Sequence, residues 1–140
     1  MIILDTNILS ELVRPHPDER MMAWSASFTN EDFSLTAITV GELLYGLSLL
    51  PDGKRKQTLA HLITRELAPF ADRILPFDAA AATHYARIKT ARRESGRPIS
   101  EQDAMIAAIA RAHDATLATR NAKDFEGTGI EVINPWEHQG

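Results

Sequence analysis

Short apolar runs alternate with longer amphipathic stretches along the whole chain, and this alternation restricts the fold more than any other feature of the sequence. Ile2-Ile3-Leu4 stops at Asp5, and Asp5 or Thr6 can then cap a helix carrying Ile8, Leu9, Leu12 and Val13 at helical spacing. Arg14-Pro15-His16-Pro17 breaks that helix. A second helical pattern over 18–29 carries Met21, Met22, Trp24 and Phe28, residues suited to a core or to a partner's surface. Phe33-Ser34-Leu35-Thr36 reads as a strand, 39–50 as an amphipathic helix closed by Pro51-Asp52-Gly53, and 54–67 as its hairpin partner. Ile74-Leu75-Pro76 reads as a short strand, 79–94 as an alanine-rich helix ended by Gly96-Arg97-Pro98, and 100–111 as a helix with Met105, Ile106 and Ile109 inside. Strands at 116–119 and 130–133 complete the chain before Pro135. Parallel strands need crossover connections, and helices supply them, so the expected class is α/β with a parallel sheet sandwiched by helices. With 140 residues, 44% of them hydrophobic, the chain is expected to form one domain over 1–140. Ligands of such sheets collect beyond the carboxyl ends of the strands, which directs the search for chemistry to the residues just after each strand.

The absence of cysteine excludes a disulfide framework, thiolate metal sites and thiol catalysis. No apolar run approaches the roughly 18 residues that a membrane span needs, and no basic leader precedes Ile2-Ile3-Leu4, so a cytoplasmic protein without membrane association is expected. The net charge of −4 excludes coating of nucleic acid by bulk charge, so any such contact must be local. His16, His61, His84, His113 and His138 lack metal-ligand spacing and are read as surface groups, implying no zinc.

Four carboxylates fall near strand ends or helix starts: Asp5, Glu42, Asp103 and Asp124. Capping explains any one of them alone, since Thr39-x-x-Glu42 and Ser100-x-x-Asp103 approximate capping boxes and Asn121-x-x-Asp124 is a looser version. Side-chain phase points further: Asp103 shares a helical stripe with Ile106, Ala107 and Ala110, and Glu42 lies beside Tyr45 and Leu49. Gathered within about 5 Å, each pair would repel by roughly 3 kcal/mol at an effective dielectric of about 20, which a divalent cation would relieve. An all-oxygen carboxylate set suits Mg²⁺ or Mn²⁺ and the hydrolysis of phosphodiesters.

Four segments, Ile3-Leu4-Asp5-Thr6-Asn7, Thr39-Val40-Gly41-Glu42-Leu43-Leu44-Tyr45-Gly46, Asp103-Ala104-Met105-Ile106-Ala107-Ala108 and Leu117-Ala118-Thr119-Arg120-Asn121-Ala122-Lys123-Asp124-Phe125, together resemble the PIN-domain ribonucleases. The resemblance is greatest to the VapC-type toxins, including their FitB-like branch, and it spans almost the whole chain in order. It implies a PIN-like fold and a toxin endoribonuclease of a type II toxin–antitoxin system that cuts RNA with Mg²⁺ or Mn²⁺. It places the catalytic, metal-binding acids on Asp5, Glu42, Asp103 and Asp124, with Thr6, Asn7, Thr119 and Asn121 as polar support. Several relatives carry an aspartate where Asn121 stands, leaving open whether Asn121 or Asp124 approaches the metal most closely. The resemblance also implies a cognate antitoxin, a small DNA-binding protein with an inhibitory tail; the small residues Ala79 to Ala82 would permit close helix packing across a homodimer, which is also expected.

For RNA contact, Arg120 and Lys123 have the better claim because they flank Asp124, while Arg87, Arg92 and Arg93 are read first as a solvated helix face and second as a grip on phosphates. Two other readings compete. One is a different Mg²⁺-dependent phosphate hydrolase, weakened because Asn7 stands where a dehalogenase-like phosphatase needs a second aspartate. The other is an inactive PIN-like module that binds RNA or protein, against which the acids at all four positions speak.

Overall fold

The computed structural model describes residues 1–139. Its elements run β1 (Ile2–Leu4), α1 (Thr6–Leu12), α2 (Glu19–Ala26), β2 (Phe33–Thr36), α3 (Ala37–Ser48), α4 (Lys54–Leu67), β3 (Ile74–Leu75), α5 (Ala79–Glu94), α6 (Glu101–Ala112), β4 (Thr116–Ala118) and β5 (Glu131–Ile133). The five strands form one parallel sheet in the order β3-β2-β1-β4-β5, as the alternation of strand and helix requires. From β1 the chain winds outward through β2 and β3 on one side and returns to build β4 and β5 on the other. The point of reversal lies between β1 and β4, where a crevice opens beyond the carboxyl ends of the strands.

Side chains alternate across the sheet with period two. Ile3 and Leu117 face the core built on α5 and α6, while Leu4, Leu35 and Ala118 face the one built on Ile8, Leu9, Met21 and Trp24. The alanines of α6 explain the close fit on the first side: Ala104, Ala107, Ala108 and Ala110 are fully buried, letting the helix lie near the sheet and α5. On the second side Trp24, Phe28 and Phe33 pack with ring centroids 5.3 to 5.6 Å apart.

Three local readings need correction. Helix α3 starts at Ala37 because the buried Thr36 hydroxyl, not Thr39, accepts the amide of residue 39 at 3.1 Å. Glu42 therefore sits in the second turn rather than at a cap, and its helix neighbours Tyr45 and Leu49 are exposed instead of packed. Asn121 caps nothing through its side chain; the 3-10 turn Ala122–Phe125 begins on its backbone carbonyl, which accepts from Asp124 N. His84 is half-buried on α5, and its Nδ1 has no hydrogen-bond partner, because that face turns inward.

Candidate active site

β1 is too short to carry Asp5 inside the ladder, so the residue leaves the strand as the N-cap of α1, with Oδ1 accepting from Thr6 N at 2.8 Å. Its own amide still donates to the Ala118 carbonyl at 2.9 Å, which continues the β1–β4 pairing by one step. That register sets Asp5 opposite Thr119, whose hydroxyl donates to Asp5 Oδ2 at 2.7 Å. Asn7 Nδ2 reaches both Asp5 Oδ2 (3.4 Å) and Thr119 Oγ1 (3.2 Å). The carboxylate at the reversal point is thereby buried and fixed in orientation.

The remaining groups arrive from other elements. Thr6 Oγ1 donates to Glu42 Oε1 at 3.2 Å, tying the start of α1 to α3. Asp103 stands in the first turn of α6, where Ser100 Oγ accepts its amide proton at 3.1 Å. A single cavity of 430 Å³ is lined by Asp5, Glu42 and Asp103 together with Thr6, Asn7 and Asn121. Arg120 and Trp136 close another side of it. Asp124 is exposed and stands outside this lining, yet its charge is felt at both Asp5 and Asp103.

Three carboxyls in the cavity have pKa values raised above their ordinary range. At Asp5 burial is the main cause, opposed by the Thr119 hydroxyl and Thr6 amide and reinforced by Asp124. Desolvation also leads at Glu42, which lies at the open rim, with Asp5 and Asp103 adding repulsion. At Asp103 burial comes first and the Asp5 charge second, with Ser100 and Arg92 pulling the other way. Among the described residues the ion pairs join Arg14 to Glu11, both of which also line the cavity, Lys56 to Asp52, Arg73 to Asp72 and Arg97 to Glu126. None of these pairs includes Asp5, Glu42, Asp103 or Asp124.

Among the described residues, no three His, Cys, Asp or Glu side chains are gathered closely enough to enclose a metal ion. The donor set nonetheless suits a hard divalent cation. It is all oxygen and its three carboxylates form no ion pair among the described residues, and Mg²⁺ needs only one or two direct carboxylates because it retains several waters.

The basic candidates separate. Arg87, Arg93, Arg120 and Lys123 are exposed, but Arg92 is only 6% exposed. Its guanidinium donates to the carbonyls of Arg97 (2.6 Å), Asp124 (2.8 Å) and Glu126 (3.0 Å). Arg92 therefore holds the Asp124 segment through Nε and Nη1, and its burial rather than its charge sets its role, because the loop carbonyls must be satisfied once buried. Sequence reasoning also missed Trp136, which lines the cavity from the 3-10 turn Pro135–Glu137. Its signal was positional: Asn134 follows β5 as Asp5 follows β1.

Repulsion in the cavity has a measurable consequence. A carboxyl whose pKa is raised by folding contributes stability only while protonated; stability falls as pH rises from the unfolded-state value, near 4, through the raised folded value. Asp103→Asn is therefore expected to raise the melting temperature of the chelator-treated protein at pH 7, by about 2 °C for each half to one kcal/mol relieved. The gain should vanish below pH ~4. A cap or helix-dipole role alone would instead make the change neutral or destabilising by about 0.3–1 kcal/mol.

Comparison with known proteins places this geometry in context. The PIN domain family model matches residues 2–130. Toxin FitB of Neisseria gonorrhoeae (strain ATCC 700825 / FA 1090) is 45% identical over 137 residues, 97% of this chain and 99% of the relative. VapC ribonuclease Y4jK of Sinorhizobium fredii (strain NBRC 101917 / NGR234) is 43% identical over 138 residues, covering 98% of this chain and 99% of the relative. A solved structure of FitAB bound to an IR36 DNA fragment superposes with a TM-score of 0.93 at 43% identity, covering 100% of this chain and 99% of the other.

Proposed function

The chain belongs to the PIN domain family, and from that premise we propose that it is the toxin of a type II toxin–antitoxin pair, an endoribonuclease hydrolysing RNA phosphodiesters with Mg²⁺ or Mn²⁺. The observation that carries this reading is the shared cavity of Asp5, Glu42 and Asp103 at the sheet's reversal point, whose three carboxylates form no ion pair among the described residues. The names of two relatives, a toxin and a VapC ribonuclease, support it.

Asp5, Glu42 and Asp103 would hold the ion, with the Asn121 side chain at the cavity wall and Asp124 adding negative potential from outside. When bound, the ion supplies positive charge against the phosphoryl group and makes water a better nucleophile. Thr119 and Thr6 fix the Asp5 carboxylate, which removes reorganisation on ion binding. Thr6 also restrains Glu42 at the rim through its hydroxyl. Arg120 and Lys123 meet the RNA near the cavity, and Arg87 and Arg93 on α5 are more distant candidates for its phosphates.

A cognate antitoxin is the second partner, consistent with a neighbour solved as FitAB on DNA. A basic side chain from it would suit the carboxylates of Asp5, Glu42 and Asp103 and compete there with the ion. We further infer a homodimer, for which exposed Leu44, Tyr45 and Leu49 on α3 offer apolar surface. Among the described residues no helix is long and apolar enough to cross a membrane, and a cytoplasmic location agrees with an RNA substrate.

The deciding experiment incubates the purified protein with structured RNA in Mg²⁺ or Mn²⁺ and in EDTA. Cleavage confined to the metal samples is expected. Equal cleavage in EDTA would remove the metal reading, and no cleavage in any sample would favour the binding-module alternative.

A further inference from the structure

Among the described residues Arg120 is in no ion pair, although it borders the cavity that Asp5, Glu42 and Asp103 line. Its guanidinium carbon instead lies over the Trp136 ring, 5.0 Å from the centroid. The backbone on which this pair stands is braced from both sides. Arg120 N donates to Asn7 Oδ1 at 3.2 Å, and Asn7 in turn contacts Asp5 and Thr119. The Arg120 carbonyl accepts from Asn134 Nδ2 at 3.4 Å, while Asn134 Oδ1 accepts from Trp136 N at 3.0 Å and so caps the turn carrying the indole. Trp136 is half-buried against the core on the α2 side, so its ring is a fixed support. Arg120 itself is exposed.

A guanidinium held over an indole at the wall of an open cavity is a planar, polarisable group within reach of whatever enters. Unstacked nucleobases bind such faces, on aromatic rings and on arginine planes alike, and a negative wall repels phosphate but not a base. We propose that the Arg120–Trp136 stack is a nucleobase subsite, which takes the base of the nucleotide beside the scissile phosphate and sets the RNA's register over Asp5, Glu42 and Asp103. This rests on the ribonuclease reading above and adds a positioning element to it. The occupant is single-stranded RNA with an unstacked base; paired RNA keeps its bases in the helix and does not fit.

The test compares binding of two fluorescein-labelled 12-mers, oligoadenylate and an abasic ribose-phosphate chain, to the Asp5→Asn protein in Mg²⁺. The base-bearing oligomer is expected to bind about tenfold more tightly. Arg120→Lys keeps the charge but loses the plane, so it should reduce the ratio to near one with the salt dependence of oligoadenylate binding unchanged. In a Trp24→Phe background, where Trp136 is the remaining indole, oligoadenylate should quench its fluorescence and the abasic chain should not. A ratio near one in the parent, or a ratio that survives Arg120→Lys, would overturn the subsite, the second outcome marking Arg120 as a simple phosphate contact. Wild-type cleavage of structured RNA in Mg²⁺ or Mn²⁺ separates the levels: if it persists while the ratio fails, only the subsite falls. If wild type cuts no RNA, the ribonuclease reading falls and the subsite with it.

Discussion

Asp5→Asn is expected to reduce metal-dependent RNA cleavage by about 10²-fold or more, with the fold retained. Asparagine preserves the size of the side chain and one oxygen for the hydrogen bond from Thr6 N, so helix α1 keeps a competent cap. What it removes is the charge at the best-fixed position of the cavity, where the Thr119 hydroxyl and Asn7 amide both donate to the second oxygen. An amide nitrogen there would face two donors, which adds a local penalty but leaves the core untouched. Glu42→Gln and Asp103→Asn should lower cleavage in the same way, because each removes one negative charge from the same cavity. Melting curves measured beside initial cleavage rates distinguish chemistry from collapse. An Asp5→Asn protein that cuts RNA at the wild-type rate would show that the carboxylate only caps α1. Because the pKa values of these carboxyls are raised in the ion-free site, protons should compete with the ion, so cleavage at subsaturating Mg²⁺ should decline on acidification before ordinary exposed carboxylates titrate, and added Mg²⁺ should restore it.

Arg92→Ala should produce the largest loss of stability among the basic residues of α5, about 3 kcal/mol, seen as a fall of roughly 6–12 °C in melting temperature. Removing the guanidinium leaves the carbonyls of Arg97, Asp124 and Glu126 without their donor, and the aliphatic stem leaves a gap beside the loop. Arg92→Lys should recover part of the loss, since one ammonium cannot reproduce a planar fork reaching three acceptors. Arg87→Ala and Arg93→Ala, on exposed sites of the same helix, should change the melting temperature little. A phosphate-gripping Arg92 would give the reverse pattern: an unchanged melting temperature and a salt slope of RNA binding smaller by about 0.7. Thermal melts and salt titrations on the three variants decide between them.

The elements themselves were legible along the chain because their causes are local. Period-two and helical spacing, the Pro and Gly breaks, and Asp or Ser before a helix located the strands and most helix starts, with 79–94 matching α5 and 54–67 matching α4. The start of α3 was misplaced because Thr36 and Thr39 are both competent caps, and burial of Thr36 at the strand end decided between them. Asp5 could be placed from the sequence, since a carboxylate just after a strand of a parallel sheet lies beyond its carboxyl edge, whereas Glu42 and Asp103 stand on helices whose approach to that edge depends on packing.

Only the tertiary structure decided which of these groups meet. Strand order placed β4 beside β1, and register then brought Thr119 onto Asp5 across 114 positions, a pairing no local pattern encodes. It turned Arg92 inward while Arg87 and Arg93 stayed outside, although all three are basic residues of one helix. It left Asp124 outside the cavity that Asn121 lines, and it set Trp136, just beyond β5, under Arg120, just beyond β4. The physical reason is common to these cases: periodicity reports which face of an element prefers burial, whereas contacts between distant residues follow from which buried faces can pack together with their polar groups satisfied.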